Sequence, residues 1–241
     1  GIPILLDLIL RDVDSFVNEI NQKYNIDCSG YSVNITKESE IISNVKIVKD
    51  KYGKIDGLIN NAANNPKLDN NKSFNFSRLE NFSVDDWSKD IAVGLTGAFL
   101  CSKHYGFEIS KNIDGGTILN ISSDLGMVGP DQNLYKIQGF DDSLQPVKPV
   151  TYSVVKTGII GLTRYLATYW ADRNVRSNAI CPGGVENNQN TAFIKELKKR
   201  IPLGRMAKKD EYQGIIIFLL SNASSYLNGA IIPADGGRTA W

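Results

Sequence analysis

Two residues in this chain have the types and spacing of a proton-transfer pair: Tyr152 and Lys156, in the stretch Tyr152-Ser-Val-Val-Lys156. A separation of i and i+4 sets both side chains on one face of a helix, neighbours across a turn. A tyrosine left to itself ionises at about pH 10, too high for a base at neutral pH. An ammonium about 4 Å away contributes about 4 kcal/mol at an effective dielectric of about 20, enough to bring the phenol to about pH 7. A phenol tuned this way can take the proton of an alcohol as it is oxidised, or return one to a ketone. Taken alone, the spacing is common and fits a surface stack as well. Its surroundings must decide.

Other chemistries are poorly provided for. His104 is the only histidine, which removes a His-based zinc site and a Ser-His-Asp triad and leads us to expect no metal. That residue reads as part of a helix surface or an interface. Cys28, Cys101 and Cys181 lie far apart without CxxC spacing, which fits reduced, buried thiols in a cytoplasmic protein. Lys and Arg (27) balance Asp and Glu (26), so no charge excess invites nucleic acid or an anionic membrane. No run of residues is long and apolar enough for a membrane span.

The elements that must position the pair alternate in type along the chain. Apolar runs at 2–7, 31–35, 55–60, 116–122, 175–180 and 230–233 read as strands. Helical spacing marks 13–24, 41–52, 151–172 and 210–220, and a long helix to about Ile109 begins at the cap Ser83-Val-Asp-Asp86. Near-continuous apolar strands alternating with helices predict a single α/β domain over 1–241, a Rossmann-type, doubly wound parallel sheet with helices on both faces. Ligands of such sheets bind beyond the carboxyl ends of the strands. The polar residues Asp7, Asn60-Asn61 and Ser122-Ser123 fall at those ends.

Asn60-Asn61-Ala62-Ala63, Ser123, Tyr152 with Lys156, Pro182-Gly183 and Asp235-Gly236-Gly237 occur in the order and setting of the short-chain dehydrogenases/reductases. The chain resembles that family over essentially its whole length. Pro146 to Trp170 and Leu203 to Glu211 further resemble a bacterial subgroup associated with flagellin-glycan and surface-sugar biosynthesis. The resemblance implies that Ser123 holds the substrate oxygen, that Tyr152 donates or accepts the proton, and that Lys156 binds the nicotinamide ribose while activating the tyrosine. Ser123 is preferred to Ser122 because the family serine is usually the second of such a pair; Ser122 is left with a strand-end hydrogen bond. Asp7 would receive the adenosine ribose hydroxyls and repel a 2′-phosphate, favouring NAD over NADP. Asn34 and Ile35 would border the adenine. Asn61, Ala62 and Ala63 would run beside the ribose and diphosphate, and Pro182, Gly183 and Val185 would line the nicotinamide, with Val185 backbone groups on the carboxamide.

Three departures stand against the family pattern. The Gly-rich turn that cradles the pyrophosphate is absent, so the first β-α unit is missing from the chain as given. An upstream segment of about 25 to 30 residues, one such unit in length, is therefore expected. Gly94-Leu-Thr-Gly97 replaces the family's Asn-x-x-Gly, removing the asparagine that anchors a water in the proton relay. Finally, the segment 124–150 between Ser123 and Tyr152 is long and rich in polar groups, among them Asp131, Gln132, Tyr135, Lys136, Gln138, Asp141 and Asp142. It reads as an inserted cover over a polyhydroxylated or charged small molecule such as a sugar or nucleotide sugar, with a surface or oligomer-contact loop as the alternative.

Two other readings compete with an NAD-dependent dehydrogenase of a carbohydrate alcohol. A degenerate member could bind a nucleotide as a scaffold or sensor without turnover. A sugar epimerase or dehydratase of the extended branch also uses YxxxK, but such chains usually add a substrate domain after the last strands. Apolar residues spread around more than one face of the helix from Thr151, which predicts burial on both sides and a homodimer or homotetramer.

Overall fold

The computed structural model describes residues 1–64 and 77–241; most of the polar loop expected after Ala63 falls outside them. β1 (Ile4–Asp7) pairs in parallel with β2 (Ser29–Ser32), and β3 (Gly57–Asn60), β4 (Gly116–Ile121), β5 (Val175–Pro182) and β6 (Ile231–Ala234) form a parallel sheet in that order. Among the described residues, no backbone ladder joins β1 to β3. The two sheets nevertheless share one apolar cluster: Ile4, Leu6, Tyr31 and Leu58 pack on buried Val33, Ile41, Val45, Leu100, Tyr105 and Ile118.

Helices cover both faces because strand side chains alternate. On β4, Ile118 joins that first cluster, whereas its neighbour Leu119 packs with Ile180, Leu219, Ile215 and Ile216. The first face carries α2 (Glu38–Tyr52), which buries Ile41, Val45 and Val48 at helical spacing. It also carries α3 (Val84–Ile91), which runs on through π-helical Ala92–Gly97 and Ser102–Gly106 with α-helical Ala98–Cys101 and Phe107–Ile109 between and after them. The Ser83 hydroxyl caps α3 by accepting from Asp86 N at 3.0 Å. α4 (Val150–Tyr169) buries Val155, Ile159, Ile160, Thr163 and Leu166. α6 (Gln213–Leu220) supplies Ile215, Ile216 and Leu219 on the opposite face.

Two local expectations are corrected. α1 (Leu10–Tyr24) starts ahead of the predicted Val13, because the Ile9 carbonyl accepts from Asp12 N and Val13 N and so opens the helix. The sequence reading also passed over α5 (Thr191–Lys198), which is capped by Asn190 Oδ1 accepting from Ala192 N at 2.8 Å. α5 buries Leu197 and packs Phe193 and Ile194 around Leu134, Ile201 and Met206. It thereby anchors a short turn of the 124–150 segment beside the end of the sheet.

A buried amide chain crosses the strands. Asn60 and Asn120 face each other in register on β3 and β4. Asn60 Nδ2 donates to Asn120 Oδ1 at 2.8 Å, and Asn120 Nδ2 donates to Thr163 Oγ1 of α4 at 3.0 Å. Buried polar groups of this kind are costly unless paired. Paired, they key α4 and β3 to the same register on β4.

Candidate active site

Past the end of β4 the chain turns sharply, and the turn fixes both serines in different roles. Ser122 Oγ donates to the Lys156 backbone carbonyl at 2.7 Å, the structural bond expected of it. Ser123 points the other way, as alternation requires. Its Oγ accepts from Leu125 N at 3.2 Å and donates to Asp124 Oδ1 at 2.7 Å, and it lies near enough to Tyr152 to lower that phenol. Gly126 completes the turn: a Cβ there would sit 2.8 Å from the Lys156 carbonyl oxygen. Only glycine lets the turn press this closely on α4.

Tyr152 and Lys156 share the first turns of α4, as their spacing predicts. The amine of Lys156 is buried and donates to the Ile121 carbonyl at 2.8 Å. It lies 5.9 Å from the centre of the Tyr152 ring. This corrects the expectation that the lysine brings the phenol near neutrality. Burial pushes Tyr152 up, the Ser123 hydroxyl pulls it back in part, and the Asp124 charge raises it further. Burial also pushes Lys156 down from 10.5 to about 8. In this state Tyr152 is a protonated acid, and Lys156 is a desolvated amine that lines the cleft.

Sequence reasoning missed four charged residues here. Asp124 is buried, and its Oδ2 accepts from Arg238 Nη1 at 2.5 Å in an ion pair with side-chain exposures of 5% for Asp124 and 11% for Arg238. The pair ties the chain's closing segment to the group that holds Ser123. Lys148 lies just before α4, its amine 3.6 Å from the centre of the Tyr152 ring. Asp90 of α3 is buried, accepting from Thr151 Oγ1 at 2.5 Å and Asn64 Nδ2 at 2.6 Å. Lys148, Lys156, Tyr152, Asp90, Asn64 and Gly94 line one cleft. The signal for Arg238 was position, just after Asp235-Gly236-Gly237. For Lys148 it was an i, i+4 spacing to Tyr152, masked by the intervening Pro149.

Gly94 occupies the π-helical stretch of the central helix, and packing accounts for it. A Cβ at Gly94 would lie 2.5 Å from Val155 Cγ1. Valine is stiff at χ1 and Val155 is buried, so it cannot move aside cheaply. The side chain next to Lys156 fills the space that an asparagine would need.

The residues proposed for a dinucleotide lie along the carboxyl ends of the strands. Asp7 ends β1 with an exposed carboxylate whose Oδ1 accepts from Ile9 N at 3.2 Å. Arg11 leans on Asp12 at 3.8 Å and is almost fully exposed. Asn34 follows β2, its Oδ1 accepting from Thr36 N and Thr36 Oγ1, while Ile35 packs toward Gly97 and the core cluster. Asn61, Ala62 and Ala63 follow β3 and are exposed. Pro182 ends β5. Gly183 N donates to the Ala234 carbonyl at 3.0 Å, and a Cβ on Gly183 would be 2.9 Å from Asp235 Cα, so this glycine permits a close approach to β6. The Val185 carbonyl accepts from Gln189 Nε2 at 2.7 Å.

The cover segment spends much of its polarity on bonds within the protein. Asp131 pairs with Arg200 at 2.6 Å, Gln132 Oε1 accepts from Lys148 N at 2.9 Å, and Asp141 accepts from Ser143 N at 2.8 Å. Tyr135 is the member that turns inward, stacking at a tilt on Phe193 with ring centres 5.8 Å apart. Burial pushes it up to about 12, and the charges of Arg238, Asp124 and Tyr152 all reach it. His104, expected on a helix surface or an interface, is half-buried, its Nε2 contacting Glu38 Oε1 at 2.7 Å. Among the described residues, no helix is long and apolar enough to cross a membrane, and no His, Cys, Asp and Glu cluster could hold a metal.

Comparison with known proteins extends over the same elements. Residues 3–136 match the short chain dehydrogenase family, and residues 143–239 match the family described as Enoyl-(Acyl carrier protein) reductase. The chain is 33% identical to the 3-oxoacyl-(acyl-carrier-protein) reductase of Aquifex aeolicus, covering 91% of this chain and 79% of that protein. It is 32% identical to the 2-dehydro-3-deoxy-D-gluconate 5-dehydrogenase of Dickeya dadantii, covering 79% and 68%. In fold it resembles a gluconate 5-dehydrogenase of Burkholderia cenocepacia solved with NADP and tartrate, with a TM-score of 0.83 at 22% identity over 99% of this chain and 85% of that one.

Proposed function

The chain belongs to the short-chain dehydrogenase/reductase family, and from that premise we propose that it interconverts a secondary alcohol and its ketone on a carbohydrate, with NAD as cofactor. One observation carries the reading: Tyr152 stands 5.9 Å, at its ring centre, from the amine of a buried Lys156 that has no carboxylate partner among the described residues. A buried, uncompensated lysine is expensive, and such cost is typically tolerated where chemistry needs it.

The residues present suit a dinucleotide. Lys156 keeps unused N–H groups for ribose hydroxyls, and the exposed Asp7 carboxylate can accept from the other ribose. Asn34 and Ile35 would flank the adenine, Asn61, Ala62 and Ala63 the ribose and diphosphate, and Pro182, Gly183 and Val185 the nicotinamide. The cofactor, when bound, supplies or accepts the hydride. Tyr152, kept protonated by burial, delivers its proton to the substrate oxygen in reduction and recovers it in oxidation. Ser123, held by Leu125 N and Asp124, steadies the negative charge gathering on that oxygen. The preference for NAD rests on Asp7, which would crowd a 2′-phosphate, and on Arg11 being turned to Asp12.

The carbohydrate assignment draws on the two relatives named for gluconate-type substrates. A nucleotide-binding scaffold without turnover draws on Gly94, and the buried lysine argues against it. Exposed Phe99, Phe107, Tyr165 and Tyr169 on the central helix and α4 support a homodimer or homotetramer. The buried free thiols of Cys28, Cys101 and Cys181 suit a cytoplasmic setting.

Binding of NADH and NADPH by tryptophan quenching, followed by ketone-dependent NADH oxidation with Tyr152→Phe as control, tests the reading. We expect tighter binding of NADH and loss of turnover in the variant. Binding of neither cofactor, or full turnover in Tyr152→Phe, would overturn it.

A further inference from the structure

Charges in the cleft do not balance. Its two amines, Lys148 and Lys156, sit near two carboxylates that are already committed. Asp90 gives one oxygen to Thr151 and the other to Asn64. Asp124 gives one to Ser123 and Leu125 N and the other to Arg238. Lys156 is bonded only to the Ile121 carbonyl, and on the reading above it serves the cofactor ribose. The amine of Lys148 touches only the face of the Tyr152 ring, and no ion pair or side-chain hydrogen bond holds it among the described residues. Its backbone is fixed instead, since Lys148 N donates to Gln132 Oε1 and Pro149 follows. The side chain is thus presented to the cleft without being spent.

We propose that Lys148 anchors a carboxylate of the substrate, so that the protein acts on a hydroxy acid of the sugar-acid class rather than on a neutral polyol or sugar. This rests on the dehydrogenase reading and narrows its substrate. An ammonium over the ring of Tyr152 places a bound anion within one side chain of the hydroxyl that moves the proton. A carboxylate there would complete the missing charge of the cleft and hold the neighbouring carbinol carbons in reach of Ser123 and Tyr152. Burial already pushes Lys148 down to about 8, with Asp124 pulling it up and Lys156 pressing it lower. Such an amine gains from an anionic partner more than an exposed one does.

D-gluconate and D-sorbitol form a suitable pair of probes, since they share a carbon chain and differ at the end group in charge. Their affinities for the NADH-loaded protein are measured by calorimetry in wild type, Lys148→Gln and Lys148→Arg, with NADH affinity measured alongside. A charge-assisted hydrogen bond of ordinary strength predicts that wild type prefers gluconate by about tenfold to a hundredfold. Lys148→Gln should remove most of that preference and Lys148→Arg should keep it, with NADH affinity within a factor of about two in both. Wild type that does not prefer gluconate, or a preference unchanged in Lys148→Gln, overturns the proposal. A loss centred on NADH affinity in Lys148→Gln also overturns it, by placing the amine on the cofactor. Failure of wild type to bind NADH at all would instead undo the dehydrogenase reading.

Discussion

Replacing Lys156 by methionine should abolish turnover and stabilise the fold. The lysine side chain is almost fully enclosed, at 7% exposure, and among the described residues its only hydrogen bond is to the Ile121 carbonyl. Its fall from 10.5 to about 8 on burial corresponds to about 3 kcal/mol of unfavourable transfer of the charged form. Losing the bond to Ile121 returns about 1 kcal/mol, which leaves a net gain of about 2 kcal/mol for Lys156→Met at neutral pH. For a chain of this length that is about 4 to 8 °C in Tm. The sign of the pH dependence is fixed. Below pH 8 the amine is charged in both the folded and unfolded states, so wild type bears the whole cost. Between about 8 and 10.5 the folded form loses its proton first and the cost fades. Urea unfolding of both proteins at pH 7 and pH 10.5 reads this directly. A variant no more stable than wild type at pH 7, or a gain undiminished at pH 10.5, would refute the reasoning.

Other perturbations test separate parts of the site. Gly94→Asn should destabilise by about 1 to 3 kcal/mol through overpacking against Val155, and adding Val155→Ala should recover most of it in chemical denaturation. Arg238→Met strands the Asp124 carboxylate in the interior and should cost about 3 to 5 kcal/mol, with Asp124→Asn added in the same chain reducing the loss. Ser123→Ala should lower kcat by about a hundredfold to a thousandfold. Ser122→Ala should instead cost about 1 kcal/mol of stability and spare most of the rate, the contrast being read from steady-state kinetics and unfolding of the two variants.

The alternation of strands and helices, the parallel sheet, and the joint placement of Ser123, Tyr152 and Lys156 were legible in the chain because each rests on local period or on spacing within a single element. Alternation set Ser122 and Ser123 to different tasks, and Ser122 does make the structural bond expected of it. What could not be read depends on distances across the fold. Asp124 and Arg238 are partners from opposite ends of the chain, and nothing local to either marks the other. The electrostatics of Tyr152 were misjudged for a similar reason: helical spacing gives the neighbour, but the carbonyl of Ile121 on another element draws the amine away. Gly94 looked like a lost function until the position of Val155 supplied its packing partner. α5 escaped because its apolar residues face a loop rather than the sheet.

The join between β4 and α4 has a consequence for how such a protein can diversify. Ser122 Oγ holds the Lys156 carbonyl, Thr157 Oγ1 holds the Gly126 carbonyl, and Gly126 admits close contact between the two. The reacting groups are therefore locked together on the near side of residue 127. Beyond it, the stretch up to Gln145 is stitched to itself, with Gln145 Nε2 donating to the carbonyls of Ile137 and Phe140. It forms a cassette keyed to the rest of the chain at a few points, chiefly Asp131 on Arg200 and Leu134 on α5. Selection could rewrite what the protein accepts by trading that cassette while inheriting the proton chemistry intact, and a chimera carrying a foreign stretch between Val128 and Gln145 should keep the pH profile of its parent while acquiring the donor's substrate.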